Sequence, residues 1–213
     1  MTTARAVPTG AVPTRDAAPT RDAAPAAPGP VPSDGPLVLS LPGRTLLLVA
    51  GLPGAGKSTL LAALDAPAGT RVLDSGAARA ALAARLPAGT PYPAYRWLTH
   101  LAHRASVVGA VLGRAETVVV HLPATAPRVR GAVRRLARLG RRTPHLLWLD
   151  TPPEQALDGQ RARGRVVRAR PFSVHARRAE RTVTALRAGA ETGWASVRCT
   201  DRSGARRGLA LAK

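Results

Sequence analysis

One cysteine in 213 residues, Cys199, excludes an internal disulfide. No apolar run reaches the roughly 18 residues that a membrane-spanning helix needs. The first 36 residues mix Pro, Ala, Thr, Arg and Asp and lack the apolar core of a signal peptide. These absences predict a cytoplasmic protein with no membrane partner. Aromatics total six and do not interleave with the arginine-rich stretches, which argues against platforms for stacking bases. Acids number 12 against 32 Lys and Arg, a formal charge of +20. Such a field predicts weak, salt-sensitive, non-specific contact with nucleic acid, without sequence reading. Lysine is rarer still: only Lys57 and Lys213 are lysine, and the other 30 cations are arginine. The lone lysine inside the fold marks a place where a compact ammonium is needed and a planar guanidinium does not substitute.

The length suits one domain with a sizeable core plus a tail. Residues 1–36 carry eight prolines and an imperfect repeat, Ala-Val-Pro-Thr-Arg-Asp then Ala-Ala-Pro-Thr-Arg-Asp, with almost nothing large to bury, and read as a disordered tail. From Leu37 short apolar runs alternate with stretches of helical period. Thr45 to Ala50, Arg71 to Leu73, Thr117 to His121, Leu146 to Asp150 and, more weakly, Ser196 to Thr200 read as five strands. Continuous apolar runs separated by helices predict a three-layer α/β fold with a mostly parallel five-stranded sheet over residues 37–200. Residues 201–213 read as a basic tail.

Helices are predicted over Lys57 to Leu64, Ala77 to Leu86, Ala94 to Leu112, a stretch containing Val129, Val133, Leu136 and Leu139, and Ser173 to about Ala188. In the longest, Leu98, Leu101, Ala105, Val108 and Leu112 are expected to face the core, with Arg96, His100, His103 and Arg104 opposite. Thr151-Pro152-Pro153-Glu154 reads as a capping box opening another helix. Arg130, Arg134 and Arg138, extended by Arg128, Arg135, Arg141 and Arg142, form a stripe able to meet nucleic-acid phosphates and more usually only solvated. His100 and His103 share a helix face, but no third ligand completes a zinc site.

The strongest signal is Gly51-Leu52-Pro53-Gly54-Ala55-Gly56-Lys57-Ser58-Thr59, set between an apolar strand and a helix. Glycines let successive backbone N–H groups turn inward around phosphates, the helix N-terminus adds its positive end, and Lys57 reaches the β and γ oxygens. Ser58 supplies a hydroxyl ligand for Mg²⁺. No Asn-Lys-x-Asp run of the kind that reads guanine is present, so ATP is the expected nucleotide.

With that loop in place, the chain resembles the P-loop kinases of the polynucleotide-kinase and zeta-toxin type, small AAA-type ATP-binding proteins, over about residues 44 to 190. Besides the loop, the resemblance rests on Val72-Leu73-Asp74-Ser75-Gly76-Ala77-Ala78-Arg79, on Leu149-Asp150-Thr151-Pro152, and on Gln160-Arg161-Ala162-Arg163-Gly164-Arg165. It implies ATP with Mg²⁺, an arginine-bearing lid in which Arg163 closes over the transferred phosphoryl group, and Arg79 positioning a small-molecule or nucleotide-like acceptor. Two departures remove expected acids. Gly76 stands at the base position, leaving Asp74 as the nearest substitute, whether as proton acceptor, holder of a magnesium-bound water or helix cap. Leu122 stands where a strand-terminal acid would contact the metal's water shell, and Asp150 is the other acid near the site. The functional expectation is therefore a kinase-like phosphotransferase, or else an ATP-binding switch with vestigial catalysis.

Overall fold

The computed structural model describes residues 35–162, 164 and 169–213. The predicted tail lies, apart from Gly35 and Pro36, outside the described residues, as does Arg163. Among the described residues the chain runs β1 (Leu37–Ser40), β2 (Thr45–Gly51), α1 (Lys57–Ala62), β3 (Leu64–Asp65), β4 (Arg71–Leu73), α2 (Ser75–Ala83), α3 (Tyr92–Leu112) and β5 (Thr117–His121). It continues as α4 (Pro127–Leu139), β6 (Thr143–Leu149), α5 (Pro153–Arg161), α6 (Ala169–Arg187), β7 (Ser196–Thr200), α7 (Arg202–Arg207) and β8 (Leu209–Ala212).

Strand β2 is buried along its whole length, because Leu46, Leu47, Leu48 and Val49 present apolar side chains to both faces of the sheet. It is the centre of a five-stranded sheet ordered β4-β5-β2-β6-β7, with every neighbouring pair parallel. Val118 to Val120 and Leu146 to Leu149 supply the flanking layers of the core, with Trp148 its largest fully buried side chain. This is the parallel, helix-covered α/β architecture expected from the sequence.

A second parallel sheet, ordered β1-β8-β3, has no counterpart in the sequence reading. Residues 201–213, read as a basic tail, instead form α7 and β8. Leu209 and Leu211 are buried between β1 and β3, to which β8 is paired. Four residues are too few for a local signal, and the pairing that orders them comes from residues more than 140 positions away in sequence.

Helix α3 is turned the other way from expectation. Tyr95, Thr99, His103, Val107 and Val111 are its buried residues. Trp97 is 66% and Leu101 55% exposed, and Val108 and Leu112 are exposed beside them. Both stripes carry apolar groups at helical spacing, so periodicity alone does not choose between them. One close contact of the observed orientation lies where the helix ends. Val111 lies under Gly140, where a side chain would come within 2.7 Å of Val111 Cγ1.

Arg142 fixes that end. It is buried, and its guanidinium donates to the carbonyls of Val111 (2.7 Å), Glu116 (3.0 Å), Ala110 (3.2 Å) and Gly113 (3.1 Å). These include carbonyls that the last turn of α3 leaves without helical partners. Arg130 is also buried and pairs with Glu191 at 2.8 Å, while Arg134 donates to Thr192 O. Part of the predicted phosphate-facing stripe is thus internal scaffolding. Arg142→Met is expected to destabilise the fold by about 3 kcal/mol in urea titrations, because buried carbonyls lose a charged donor. Exposed Arg135→Met should stay within about 0.5 kcal/mol of the parent.

Candidate functional site

The phosphate loop leaves the carboxyl end of β2, at the centre of the sheet, where ligand crevices form in folds of this kind. Gly51 N–H donates to Pro123 O (3.1 Å) and Ala55 N–H to Leu52 O (3.1 Å), which ties the loop to the segment after β5 and to itself. Gly56 caps α1 with φ 105°, a left-handed conformation that strains any residue with a Cβ.

The outer side of the loop is seated on α5 with no room for side chains. A Cβ at Gly54 would overlap Ala156 O and approach Gln160 Cγ to 2.8 Å, and a Cβ at Gly159 would overlap Gly54 O. Gln160 Nε2 donates to Pro53 O (2.9 Å) and Thr151 Oγ1 to Ala55 O (3.3 Å). The predicted capping box is therefore replaced: Pro152 occupies the cap position of α5 without a side-chain cap, and the Thr151 hydroxyl serves the loop. Local pattern placed a hydroxyl before a helix as an acceptor for its first N–H groups, and the tertiary fold makes it a donor to the loop instead.

Lys57 is buried and folds back over its own loop, Nζ donating to Gly51 O (2.9 Å) and Leu52 O (2.7 Å). Two cavities flank the loop, with Gly56 in the lining of both. One, of about 150 Å³, is lined by Gly54, Lys57, Ser58, Ser75, His121 and Pro123. The other, of about 220 Å³, runs past Gly56, Thr59, Gly159 and Ala162 to Arg202 and Arg206 of α7. Arg202 is fixed there by donating to Gln155 O. Its wall comes from the segment read as a tail, so the sequence reading missed it. Ser58 is placed at the first cavity, where its hydroxyl could hold a cation.

Asp74 closes β4 at the head of α2 and makes no side-chain capping hydrogen bond. Its Oδ1 lies 2.8 Å from Nδ1 of His121, at the end of the adjacent strand β5. Nδ1 meets no hydrogen-bond geometry there, so the pair is a close contact between a carboxylate and an imidazole. His121 lowers the Asp74 carboxyl to about 2 despite the opposing effect of burial, and His103 adds a smaller effect in the same direction. Burial in turn lowers the pKa of His103, which sits on the buried face of α3, whereas the sequence put it on a polar stripe facing either solvent or a substrate cleft. Gly76 fits this arrangement, since a Cβ there would meet Asp74 Oδ2 at 2.9 Å.

Of the other candidates, Arg79 stacks over the Tyr92 ring at 4.1 Å. Asp150 pairs with Arg187 at 3.5 Å, and Leu122 is partly buried against the core. No group of three His, Cys, Asp or Glu among the described residues could hold a metal, and no helix among them is long and apolar enough to cross a membrane. Two residues near the loop carried no sequence signal. They are His121 and His175 of α6, whose Nδ1 is 2.8 Å from Thr125 Oγ1 and whose pKa is lowered by burial, with smaller contributions from Arg178 and Lys57.

The family model of the AAA domain matches residues 46–188. No curated protein matches the sequence. The structure of the PezAT chromosomal toxin–antitoxin system of Streptococcus pneumoniae is similar over 80% of this chain and 69% of that one, at 14% identity and a TM-score of 0.51, a likeness of fold alone. The tunicamycin resistance protein of Deinococcus radiodurans is similar over 63% of this chain and 79% of that one, at 16% identity and a TM-score of 0.42.

The loop's seat on α5 gives a direct test. Gly159→Ala should cost about 1–3 kcal/mol through overpacking and weaken binding of a fluorescent ATP analogue. Gly69→Ala, at a position with open space, should lose stability through its backbone angle while leaving nucleotide affinity unchanged.

Proposed function

The chain belongs to the AAA-domain family in its P-loop, kinase-like form, and on that premise we propose that it transfers the γ-phosphoryl group of ATP to a hydroxyl of a small-molecule or nucleotide-like acceptor. The observation that carries this reading is the setting of the loop, a glycine turn that carries one buried lysine and has a cavity on either side. A nucleotide laid across it has its base and ribose in the groove beside Thr59, where Arg202 and Arg206 offer guanidinium planes for stacking. Its phosphates lie against the loop. Its γ end reaches the cavity of Ser58, Ser75 and His121, where an acceptor hydroxyl enters.

In this reading Lys57 exchanges its two loop carbonyls for phosphate oxygens. Ser58 would hold the magnesium ion that accompanies ATP, and the ion's chemistry when bound would be to neutralise phosphate charge. Arg79 positions the acceptor, and Arg163 stabilises the transferring group from the lid. Among these, Lys57 supplies attraction in both ground and transition states, so its removal acts on binding first.

A second reading, a switch in which nucleotide occupancy is the signal, is favoured by Gly76 and Leu122 standing where acids are expected. The two separate on turnover. Protein incubated with γ-labelled ATP, magnesium and a pool of nucleosides, sugars, antibiotics and oligonucleotide 5′ ends should label an acceptor. ATP binding with no label transferred across the pool would favour the switch. Lys57→Ala should weaken ATP binding by about 100-fold in either case, the loss of one buried charged partner.

A further inference from the structure

Asp74 and His121 stand on adjacent strands, in register at the carboxyl edge of the sheet where the proposed transfer takes place. The imidazole turns its Nδ1 edge toward Asp74, so Nε2 leaves the ring from the opposite edge. Nδ1 is buried and makes no hydrogen bond of ordinary geometry, and His121 itself lines the cavity that also holds Lys57, Ser58 and Ser75. Asp74, by contrast, is not among the lining residues of that cavity. Of the two, the histidine is the residue on the wall of that cavity, and the carboxylate lies beside it at 2.8 Å.

Resting on the phosphotransferase reading above, we infer that His121 is the general base of this site and that Asp74 is its positioning residue, the pair replacing the acid missing at Gly76. The replacement is coupled sterically. A side chain at position 76 would crowd Asp74 Oδ2, so the glycine that removes one acid makes room for the other to turn toward His121. An isolated carboxylate held as low as Asp74 is a poor proton acceptor near neutrality, whereas the same charge behind an imidazole stabilises the imidazolium that forms.

The step balances. The lone pair of His121 Nε2 takes the proton of the acceptor O–H as the oxygen attacks the γ-phosphorus. The bond from phosphorus to the β–γ bridging oxygen breaks, and ADP leaves with that electron pair. The proton on the imidazolium, steadied by the Asp74 carboxylate, is then released to solvent. Lys57 and His103 are the other charged or titratable groups around the ring, from α1 and α3.

The test uses the full chain, with ATP affinity read by a fluorescent analogue and turnover by release or transfer of labelled phosphate. Asparagine keeps a nitrogen near the Nδ1 position and lacks Nε2, whereas glutamine keeps a polar atom near Nε2. His121→Asn should lower kcat by about 100-fold with ATP affinity unchanged, the usual contribution of a general base. Asp74→Asn should also lower kcat at unchanged affinity, and should shift the His121 ring nitrogen resonances as the tautomer changes. His121→Asn with parental turnover would show that the ring merely holds Asp74 and would overturn the assignment. Parental ring resonances in Asp74→Asn would overturn the positioning role. A parent protein that binds ATP and transfers no phosphate to water or any acceptor overturns the phosphotransferase reading itself, a result distinct from either.

Discussion

The phosphate loop can exist in its present shape because its backbone rests directly on the backbone of α5. Gly54 and Gly159 face each other with no room for a Cβ on either side. Gln160 and Thr151 then fasten Pro53 and Ala55 from the same element and its entry. A glycine loop alone is conformationally loose, since each glycine loses more entropy on ordering than any other residue. Contact with a rigid neighbour offsets that cost before any ligand arrives. The inward-turned backbone is thereby pre-organised, which makes the later binding of an anion cheaper.

The large positive charge divides into two populations with different physics. Arg130 and Arg142 are internal and spend their donors on carbonyls or on Glu191. They close helix ends and inter-element gaps that a small, aromatic-poor chain cannot fill with large apolar groups. Arg202 and Arg206 stand at the groove beside the loop. Arginine does both jobs because its five donors form a fixed fork and its charge is hard to neutralise. In a chain this biased, a stripe of arginines says little about what it meets. Burial and partners decide it residue by residue.

What was legible in the sequence follows the same logic. Strands buried on both faces write themselves as unbroken apolar runs, so β2, β5 and β6 could be read directly, and the loop between β2 and α1 carries its chemistry in residue type and spacing. Helix α3 could not be oriented, because Tyr95, Thr99 and Val107 repeat at the same period as Trp97, Leu101 and Val108 and the contacts at its end come from Gly140 and Arg142. Thr151 looked like a cap since pattern alone cannot see Ala55 O. His121 gave no signal because its meaning depends on Asp74, 47 positions earlier and one strand over. The parts that escaped are those whose partners are distant in the chain.

The strand β8 is short, yet it ties together parts of the chain that are far apart in sequence. It pairs with β1 at one end of the sequence and β3 further on, and α7 just before it supplies one wall of the groove beside the loop. During synthesis the complete phosphate loop is made well before residue 202, so the growing chain holds a cradle with one side open. Only when residues 202–212 arrive is that side closed and β1 given a partner. Domains generally fold as units, and here the wall of the groove beside the loop and the partner of β1 both come from residues 202–212, the last of the described elements in chain order.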